Sequence, residues 1–385
     1  MSQRILKKHF TIDGWVVFYL LLVAVGGVGI ALVFFNGQEA SYNVTREIPL
    51  GLLIIGYSFF VGITTGLSLL AAFAHLFGFE NFHILSRKIM WTALSALLAG
   101  FFIIFWDLGG PFRLQVLRFV VNIVPFHWTS PIWWMSILYA MELPILIVEV
   151  FLLLANKEKC TFIASILGFI VGISAYSNMG FVFSANVARP FWHGPFIPMF
   201  FIISAVGLGA AFALILLYVN KKELAEEKYE MALKTFSKTL FIVILAIIFA
   251  KIWRTITLLY GREPMTYEAV KQLIAGSMAF NFWFFEILIG IIVPFVLLLM
   301  TRFKSTGASL TSAVCSIFGI FFMRYDSIVV GQIIPVNSVY FDKVEVLHYF
   351  PSIAEITLFI SALGVMGLLY VLGSRILRLE EENHV

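Results

Sequence analysis

The sequence predicts an all-α integral membrane protein with about ten transmembrane helices. Three observations support this prediction: 61% of the 385 residues are hydrophobic, only 12% are charged, and the apolar residues fall in long runs. A soluble domain carries about 25% charged residues, so this chain lacks the polar shell that a water-soluble fold of its length needs. The lipid bilayer must therefore solvate most of its surface.

Each crossing of the hydrocarbon core requires about 20 apolar residues, and the chain holds about ten such runs. They cover residues 14–35, 48–78, 88–106, 131–154, 160–183, 195–219, 238–260, 277–301, 307–331 and 352–374. The ninth run is the least regular, because Arg324 and Asp326 lie near its end. Almost nothing is left for a soluble domain, so we expect a single integral membrane domain over residues 1–385.

The second to fifth runs and the sixth to ninth runs share a weak internal repeat. The second and sixth runs both open with Ile-Pro, at Ile48 and Ile197, and both contain the tetrapeptide AAFA. The fourth and eighth runs each carry Trp, Glu and Pro in that order. Two related four-helix bundles, over 48–183 and 195–331, would produce this spacing, although chance would also produce it in so biased a composition.

Lysine and arginine divide unequally between the two sides of the predicted helices, sixteen on one side and ten on the other. The positive-inside rule then predicts that both termini lie on the cytoplasmic side of the cell membrane. The inner segment 221–238 has a helical pattern, and we expect it to be a solvated linker. The outer connections are longer and rich in aromatic and turn residues, which favours a docking surface over ordinary loops with an aromatic belt; they cover 107–130, 184–194, 261–276 and 332–351.

Ionisable side chains at membrane depth are candidates for function, because each costs about 2.5–3.5 kcal/mol at a helix centre. Glu142 lies eleven residues into the fourth run, about 16 Å deep, and Glu149 follows on nearly the same helix face. Two carboxyls stacked in this way could pass protons along the helix; the alternative is a protonated glutamate packed through one hydrogen bond. Glu286 is the equivalent candidate in the eighth run.

Further polar groups are expected in the outer half of the first bundle. Tyr57, Asp107 and Tyr176 all fall there together with Glu142, and Asn178 follows Tyr176 closely. An apolar pocket with a few phenolic and carboxyl groups suits a hydrophobic ligand that has polar ends and exchanges protons. The sequence therefore predicts a ligand site at this level, although a single buried tyrosine is more often an ordinary packed hydroxyl.

Metal and haem sites are not expected. Two cysteines, Cys160 and Cys315, are too few for an iron–sulfur cluster or a four-thiolate zinc site. A transmembrane haem held by two histidines needs both of them well inside helices, and only His75 lies firmly within an apolar run. No basic block is dense enough to indicate a nucleic-acid partner.

Several local strings are recognisable. They are WDLGGPFR at 106–113, TSPIWW at 129–134, AYSNMGFVFSANVARPFWHGPFIP at 175–198, REIPLGLLIIGYSFFVGITTGLSLLAAFAHL at 46–76, RYDSIVVGQIIP at 324–335, FNFWFFEILIGIIVP at 280–294 and HYFPSIAEI at 348–356. On these strings the chain resembles the polysulfide-reductase membrane-subunit family, the NrfD-type quinone-interacting proteins. The last two strings are similar to its ten-helix branch, found in hydrogenase and sulfite-reduction-linked membrane subunits.

The resemblance implies a quinone-reactive subunit of a multisubunit respiratory oxidoreductase rather than a stand-alone enzyme. The chain would hold no haem or iron–sulfur cluster of its own. A ferredoxin-like subunit with several iron–sulfur clusters would dock on 107–130 and 184–194, joined by further catalytic, cytochrome c or cytochrome b subunits. Electrons would pass between those clusters and menaquinone or a similar quinone.

The resemblance also implies roles for individual residues in the first bundle. Tyr57 would stand where the family can place an imidazole, and Tyr176 would correspond to the family's tyrosine beside the quinone carbonyl. The expected quinone-contacting set is Tyr57, Tyr176, Asn178 and Trp133. The expected proton-transfer set is Asp107, Glu142 and Glu149.

Two other functions compete with this one. A secondary transporter would have ten spans, a repeat and broken helices at the midplane, and Pro144 and Pro294 lie near Glu142 and Glu286. A purely structural anchor would never contact quinone. A neighbouring reading frame for a ferredoxin-like protein would favour the redox function, and a solitary gene would favour transport.

Overall fold

The computed structural model describes residues 13–77, 84–112, 121, 123–336 and 345–380, and within them every extended element of regular structure is a helix. Ten helices are long and apolar enough to cross a membrane, which confirms the predicted fold class. They are α1 (Gly14–Asn36), α2 (Leu52–Phe77), α3 (Ser86–Asp107), α4 (Pro131–Leu154), α5 (Glu158–Ser184), α6 (Phe196–Val219), α7 (Glu226–Gly261), α8 (Asn281–Thr301), α9 (Thr306–Val330) and α10 (Ile353–Ile376).

Local chemistry fixes where several of these helices begin. The Ser130 hydroxyl accepts a hydrogen bond from the Trp133 amide at 3.3 Å, and Pro131 occupies the first turn of α4. Ser352 and Glu355 form a capping box at the start of α10. Such caps satisfy amide groups that a helix leaves unpaired at its first turn, so these boundaries follow from the sequence.

Helices α2–α5 pack together as one bundle and α6–α9 as a second, while α10 packs against α1 and α3. The two bundles meet along α2, whose neighbours include both α5 and α6. At the centre of this contact Gly66 of α2 lies against Gly209 of α6, backbone to backbone. Arg375 near the end of α10 pairs with Asp13 at the start of α1, so these two helix ends share one membrane face.

The segment 221–238 is largely helical, as its pattern predicts, but it is not the solvated linker that we expected. Helix α7 begins at Glu226 and continues without a break for 36 residues, so most of that segment is its first three turns. Tyr229 and Phe236 are buried there, and the Tyr229 hydroxyl lies 3.2 Å from the Thr306 hydroxyl of α9. This end of α7 is therefore packed against the bundle rather than surrounded by water.

Two further local structures were not predicted. A short helix, Pro264–Ala275, lies within the outer connection expected as a loop. The first part of α8, Asn281–Ile292, is a π-helix, and α-helical geometry returns at Val293. Parts of the other outer connections, 113–120, 122 and 337–344, lie outside the described residues, as does the side chain of His75.

Candidate functional site

An open groove of about 870 Å³ lies at the predicted outer end of the first bundle, between α4, α5 and α6. Its volume is in the range of small-molecule sites. Most of its surface is apolar and comes from Trp134, Leu138, Phe181, Ala185, Pro195, Pro198 and Met199. Its polar groups are Ser174, Ser177, Asn178, Ser184 and His193. A groove of this composition can take a hydrophobic ligand and orient it by a few hydrogen bonds.

His193 is the titratable residue of the groove wall. Its Nδ1 lies 3.0 Å from the Ser184 carbonyl oxygen. A carbonyl oxygen only accepts hydrogen bonds, so Nδ1 must carry the proton of this contact. In a neutral ring, Nε2 then keeps its lone pair and can accept a proton from a ligand.

Asn178 is the one expected quinone-contacting residue that lines the groove. Its amide Nδ2 donates to the Pro131 carbonyl at 2.8 Å, which ties α5 to the first turn of α4. Trp133 does not line the groove: its Nε1 donates to the Ile123 carbonyl at 2.8 Å and holds the connection before α4. The neighbouring Trp134 lines the groove instead.

Tyr57 lies behind the groove, in the interior of the first bundle. Its ring is 6.0 Å from the ring of Tyr139, and both side chains are buried. Tyr139 also interacts electrostatically with Glu142 and Tyr176. The structure thus brings together Tyr57, Tyr176 and Glu142, as expected, and adds Tyr139.

Tyr176 points from α5 towards the second bundle. Its hydroxyl donates to the Ser58 carbonyl at 2.9 Å and accepts from Nη2 of Arg324 at 3.1 Å. Arg324 belongs to α9, is fully buried, and stacks on Phe201 at 3.7 Å from the ring centroid. Its Nη2 also contacts the Ser204 hydroxyl of α6. Arg324 therefore joins the two bundles directly behind the groove.

The two glutamates of α4 lie in its contact with α5, opposite small residues. A Cβ added at Gly172 would lie 3.4 Å from Glu142 Oε1, and one at Gly168 would lie 3.2 Å from Glu149 Oε2. Glu149 accepts a hydrogen bond from the Ser165 hydroxyl at 2.5 Å. Neither oxygen of Glu142 has a hydrogen-bond partner among the described residues. Burial without a partner is costly for a carboxyl group, so Glu142 is the more unusual of the two.

Asp107, the remaining expected site residue, ends α3 at the face predicted to be outer and lines none of the groove. Its backbone carbonyl accepts a hydrogen bond from Gln38 Nε2 at 2.5 Å. Within the described residues, no three His, Cys, Asp or Glu side chains cluster as metal ligands would.

The loop beside the groove is held by a buried arginine. Arg189 donates to the carbonyls of Gln332 at 3.1 Å, Ile334 at 2.9 Å and Glu47 at 2.9 Å. Burial lowers the pKa of its guanidinium, and the charge of Glu47 partly opposes this shift. Trp192 donates from Nε1 to the Ser327 carbonyl at 2.7 Å. The wall that carries His193 is therefore fixed to the second bundle.

Sequence reasoning missed Trp134, Tyr139, His193 and Arg324 as members of this region. His193 stands in the quoted string RPFWHGP, which could have singled it out. Arg324 was visible as a charge inside an apolar run, the usual signal of function at membrane depth. Tyr139 had no distinguishing signal in the sequence.

The fold and the groove define a multi-pass integral membrane protein with a ligand-sized opening at one end of its first bundle. Residues 40–337 match the family polysulphide reductase, NrfD, and the chain belongs to that family. It is 22% identical to the Hdr-like menaquinol oxidoreductase integral membrane subunit of Archaeoglobus fulgidus, over 95% of this chain and 94% of that protein. It is also 22% identical to a subunit of the selenate reductase of Mesobacillus selenatarsenatis, over 94% of this chain and 92% of that protein.

A shorter match joins the chain to protein NrfD of Escherichia coli, with 26% identity over 42% of this chain and 49% of that protein. The two long matches span nearly the whole chain, so the similarity includes the second bundle and α10 as well as the groove.

Proposed function

We propose that this chain is the membrane anchor subunit of a respiratory oxidoreductase complex and exchanges electrons between menaquinone, or a similar quinone, and an iron–sulfur subunit on its outer face. Family membership and the long match to a menaquinol oxidoreductase subunit support this function. The observation that carries it is the groove, which is apolar, large enough for a quinone head and bordered by a histidine.

His193 supplies the acid–base chemistry of this proposal. Conversion of a quinol to a quinone releases two electrons and two protons, and the electrons pass to the clusters of the docked partner. With Nδ1 donating to Ser184, the His193 Nε2 accepts a proton from a quinol hydroxyl. The hydroxyl of Ser177 and the amide of Asn178 are available to orient the ring.

Glu142 and Glu149 extend the proton path inwards. Leu138 lines the groove, and Glu142 lies four residues further along α4, one turn deeper on the same helix face. Glu149 lies two turns deeper again, in the same contact with α5. Tyr57 and Tyr176 stand behind the groove, so their contribution is to the polar interior around Glu142 rather than to direct contact with the quinone.

The outer connections next to the groove expose a group of apolar side chains. Val124 is 82% exposed, Phe126 69%, Trp128 67% and Val187 70%. Side chains of this kind favour a buried protein interface. We assign the docking of the iron–sulfur subunit to this surface, because electrons must cross a short distance between the partner and the groove.

Purification in mild detergent tests this function. We expect an iron–sulfur subunit and a lipid-soluble quinone to co-purify with the chain. A menaquinol analogue should then reduce the clusters, followed by electron paramagnetic resonance. His193→Gln should slow that reduction by at least about 100-fold, the lower end for loss of a general base. His348→Ala, on an exposed outer segment away from the groove, is the matched control.

Two results would contradict the proposal: absence of any iron–sulfur subunit from the purified assembly, or equal reduction rates in His193→Gln and His348→Ala. The proton path is tested separately by Glu142→Gln. This change removes the titratable carboxyl while keeping the shape, and quinol turnover equal to that of the unmodified protein would exclude Glu142 from proton transfer.

A further inference from the structure

The second bundle contains its own group of buried ionisable side chains. Lys251 and Arg254 of α7, Glu286 of α8 and Asp326 of α9 line a cavity of about 30 Å³. Glu286 is 0% exposed and Asp326 1% exposed. These residues take no part in the groove of the first bundle, and nothing in the proposed function uses them.

The charges that meet in this cavity come from three helices. The Lys251 ammonium pairs with Glu286 Oε1. Asp326 faces Glu286 and the amide of Asn281, yet neither Asp326 oxygen has a hydrogen-bond partner of standard geometry among the described residues. The Arg254 guanidinium is engaged elsewhere, since Nη2 donates to the Phe191 carbonyl at 2.8 Å and the group stacks on Phe191 at 4.6 Å.

The short helix Pro264–Ala275 lies over the cavity and adds no charged side chain to its lining. It contributes Val270 and Leu273 to the lining, while Thr255 and Leu258 of α7 line the part nearest the outer face. The cavity has room for about two water molecules. Water there would hydrogen-bond the unpaired Asp326 oxygens and carry protons between the carboxyls and the outer side.

The composition of the cavity selects its ligand. The two cations of the cavity are already engaged, Lys251 with Glu286 and Arg254 with the Phe191 carbonyl, so neither is free to bind an anion. The Lys251 ammonium also occupies the position that a metal cation would take beside Glu286. Two carboxylates facing each other in a low-dielectric interior repel, so that a proton between them is strongly favoured. The proton is therefore the ligand that fits.

The backbone of α8 supports a functional role for this pair. Glu286 lies in the middle of the π-helix Asn281–Ile292, and π-helical turns are frequent at functional sites. One turn further along, Gly290 and Gly319 are in contact: a Cβ on Gly290 would lie 2.5 Å from the Gly319 Cα. This close approach of α8 to α9 keeps the two carboxyls adjacent.

We propose that Glu286 and Asp326 share one proton in a water-sized cavity of the second bundle, and that they form a proton-binding site separate from the groove and exchanging with the outer face. The site requires no quinone and no partner subunit. A test of this site is therefore independent of the proposed electron-transfer function.

Infrared difference spectroscopy of the full-length chain in lipid vesicles tests this site. Spectra taken in acidic minus alkaline buffer should contain the C=O band of a protonated buried carboxyl, and the band should shift in heavy water. The buried carboxyls of Glu142 and Glu149 contribute to the same spectral region, so the contribution of the pair is the part of the band that is lost in Glu286→Gln and in Asp326→Asn. Each change should remove this part, because no second carboxyl is then left to share the proton. Glu268→Gln, in the short helix over the cavity but outside the cavity lining, should leave it in place.

Lys251→Met is a second test, in which the carboxyl band should be retained and its titration should shift. Removing the ammonium removes the charge that favours the ionised form, so the midpoint of the band's titration should move to more alkaline pH by about one unit or more. A band whose intensity is unchanged in either Glu286→Gln or Asp326→Asn would overturn the proposal. A spectrum of the unmodified protein with no titrating carboxyl band would also overturn it. This criterion applies even if a variant fails to fold.

Discussion

Replacing Gly66 by alanine should weaken the contact that joins the two bundles. A Cβ at this position would lie 2.7 Å from the Gly209 nitrogen and 2.8 Å from the Ala205 carbonyl carbon of α6, and closer still to the carbonyl oxygen. Ordinary contact begins at 3.4 Å. The nitrogen contact alone would require α2 and α6 to separate by about 0.7 Å, and the nearer carbonyl oxygen requires more. All three obstacles are backbone atoms, and no side-chain rotation can relieve them.

The cost should be near the upper end of the range for overpacking, about 3 kcal/mol. Helix α2 packs against helices of both bundles, and 94% of the residues in its most apolar stretch are buried. A shift of α2 therefore disturbs contacts on both of its sides. Small residues allow close approach of helices in membranes, and the Gly66–Gly209 contact depends on this. Gly27→Ala is the matched control, because nothing lies within 4 Å of a Cβ added there.

Unfolding in detergent by titration with sodium dodecyl sulfate, followed by circular dichroism, measures the difference. Gly66→Ala should lower the free energy of unfolding by about 3 kcal/mol, whereas Gly27→Ala should leave it unchanged or raise it by up to about 1 kcal/mol. Gly209→Ala should behave like Gly66→Ala, and the double variant should cost less than the two changes added, because both act on one contact. Equal stability of Gly66→Ala and Gly27→Ala would refute this reasoning.

Two further predictions concern the polar interior of the first bundle. Ser165→Ala removes the 2.5 Å hydrogen bond to Glu149 and should cost about 1–3 kcal/mol, while Ser174→Ala, whose hydroxyl bonds only within its own helix, should be neutral in the same unfolding assay. Gly62→Ala should displace the Tyr176 hydroxyl, which lies against Gly62, and Tyr176→Phe should restore part of the lost stability; a double variant no more stable than Gly62→Ala alone would contradict this.

The number and approximate position of the membrane helices could be predicted because the bilayer imposes one requirement that the sequence shows directly. A crossing needs a long apolar run, and all ten predicted runs correspond to helices of the structure. The caps at Ser130 and Ser352 are likewise local in sequence. Features that depend only on local length and composition, such as the number and starts of the helices, could therefore be predicted from the sequence.

The direction of individual side chains was not accessible in the same way. A helix that is apolar on all sides does not show which face meets protein and which meets lipid. Thus Trp134 rather than Trp133 lines the groove, and Tyr176 turns towards Arg324. The π-helix at Asn281–Ile292 was also hidden, because the hydrogen-bond register of a helix does not alter its apolar composition.

Arg324 shows why the two polar interiors should be considered together. Its guanidinium contacts Tyr176 of the first bundle and lies 5.8 Å from the ring centroid of Phe200. The Lys251 ammonium, in the cavity of the second bundle, lies 5.3 Å from the same ring centroid. Both cations therefore pack against one aromatic side chain. Because Lys251 is the ion-pair partner of Glu286, we expect a change of protonation at Glu286 to alter the electrostatic environment of Arg324, and through Arg324 that of Tyr176.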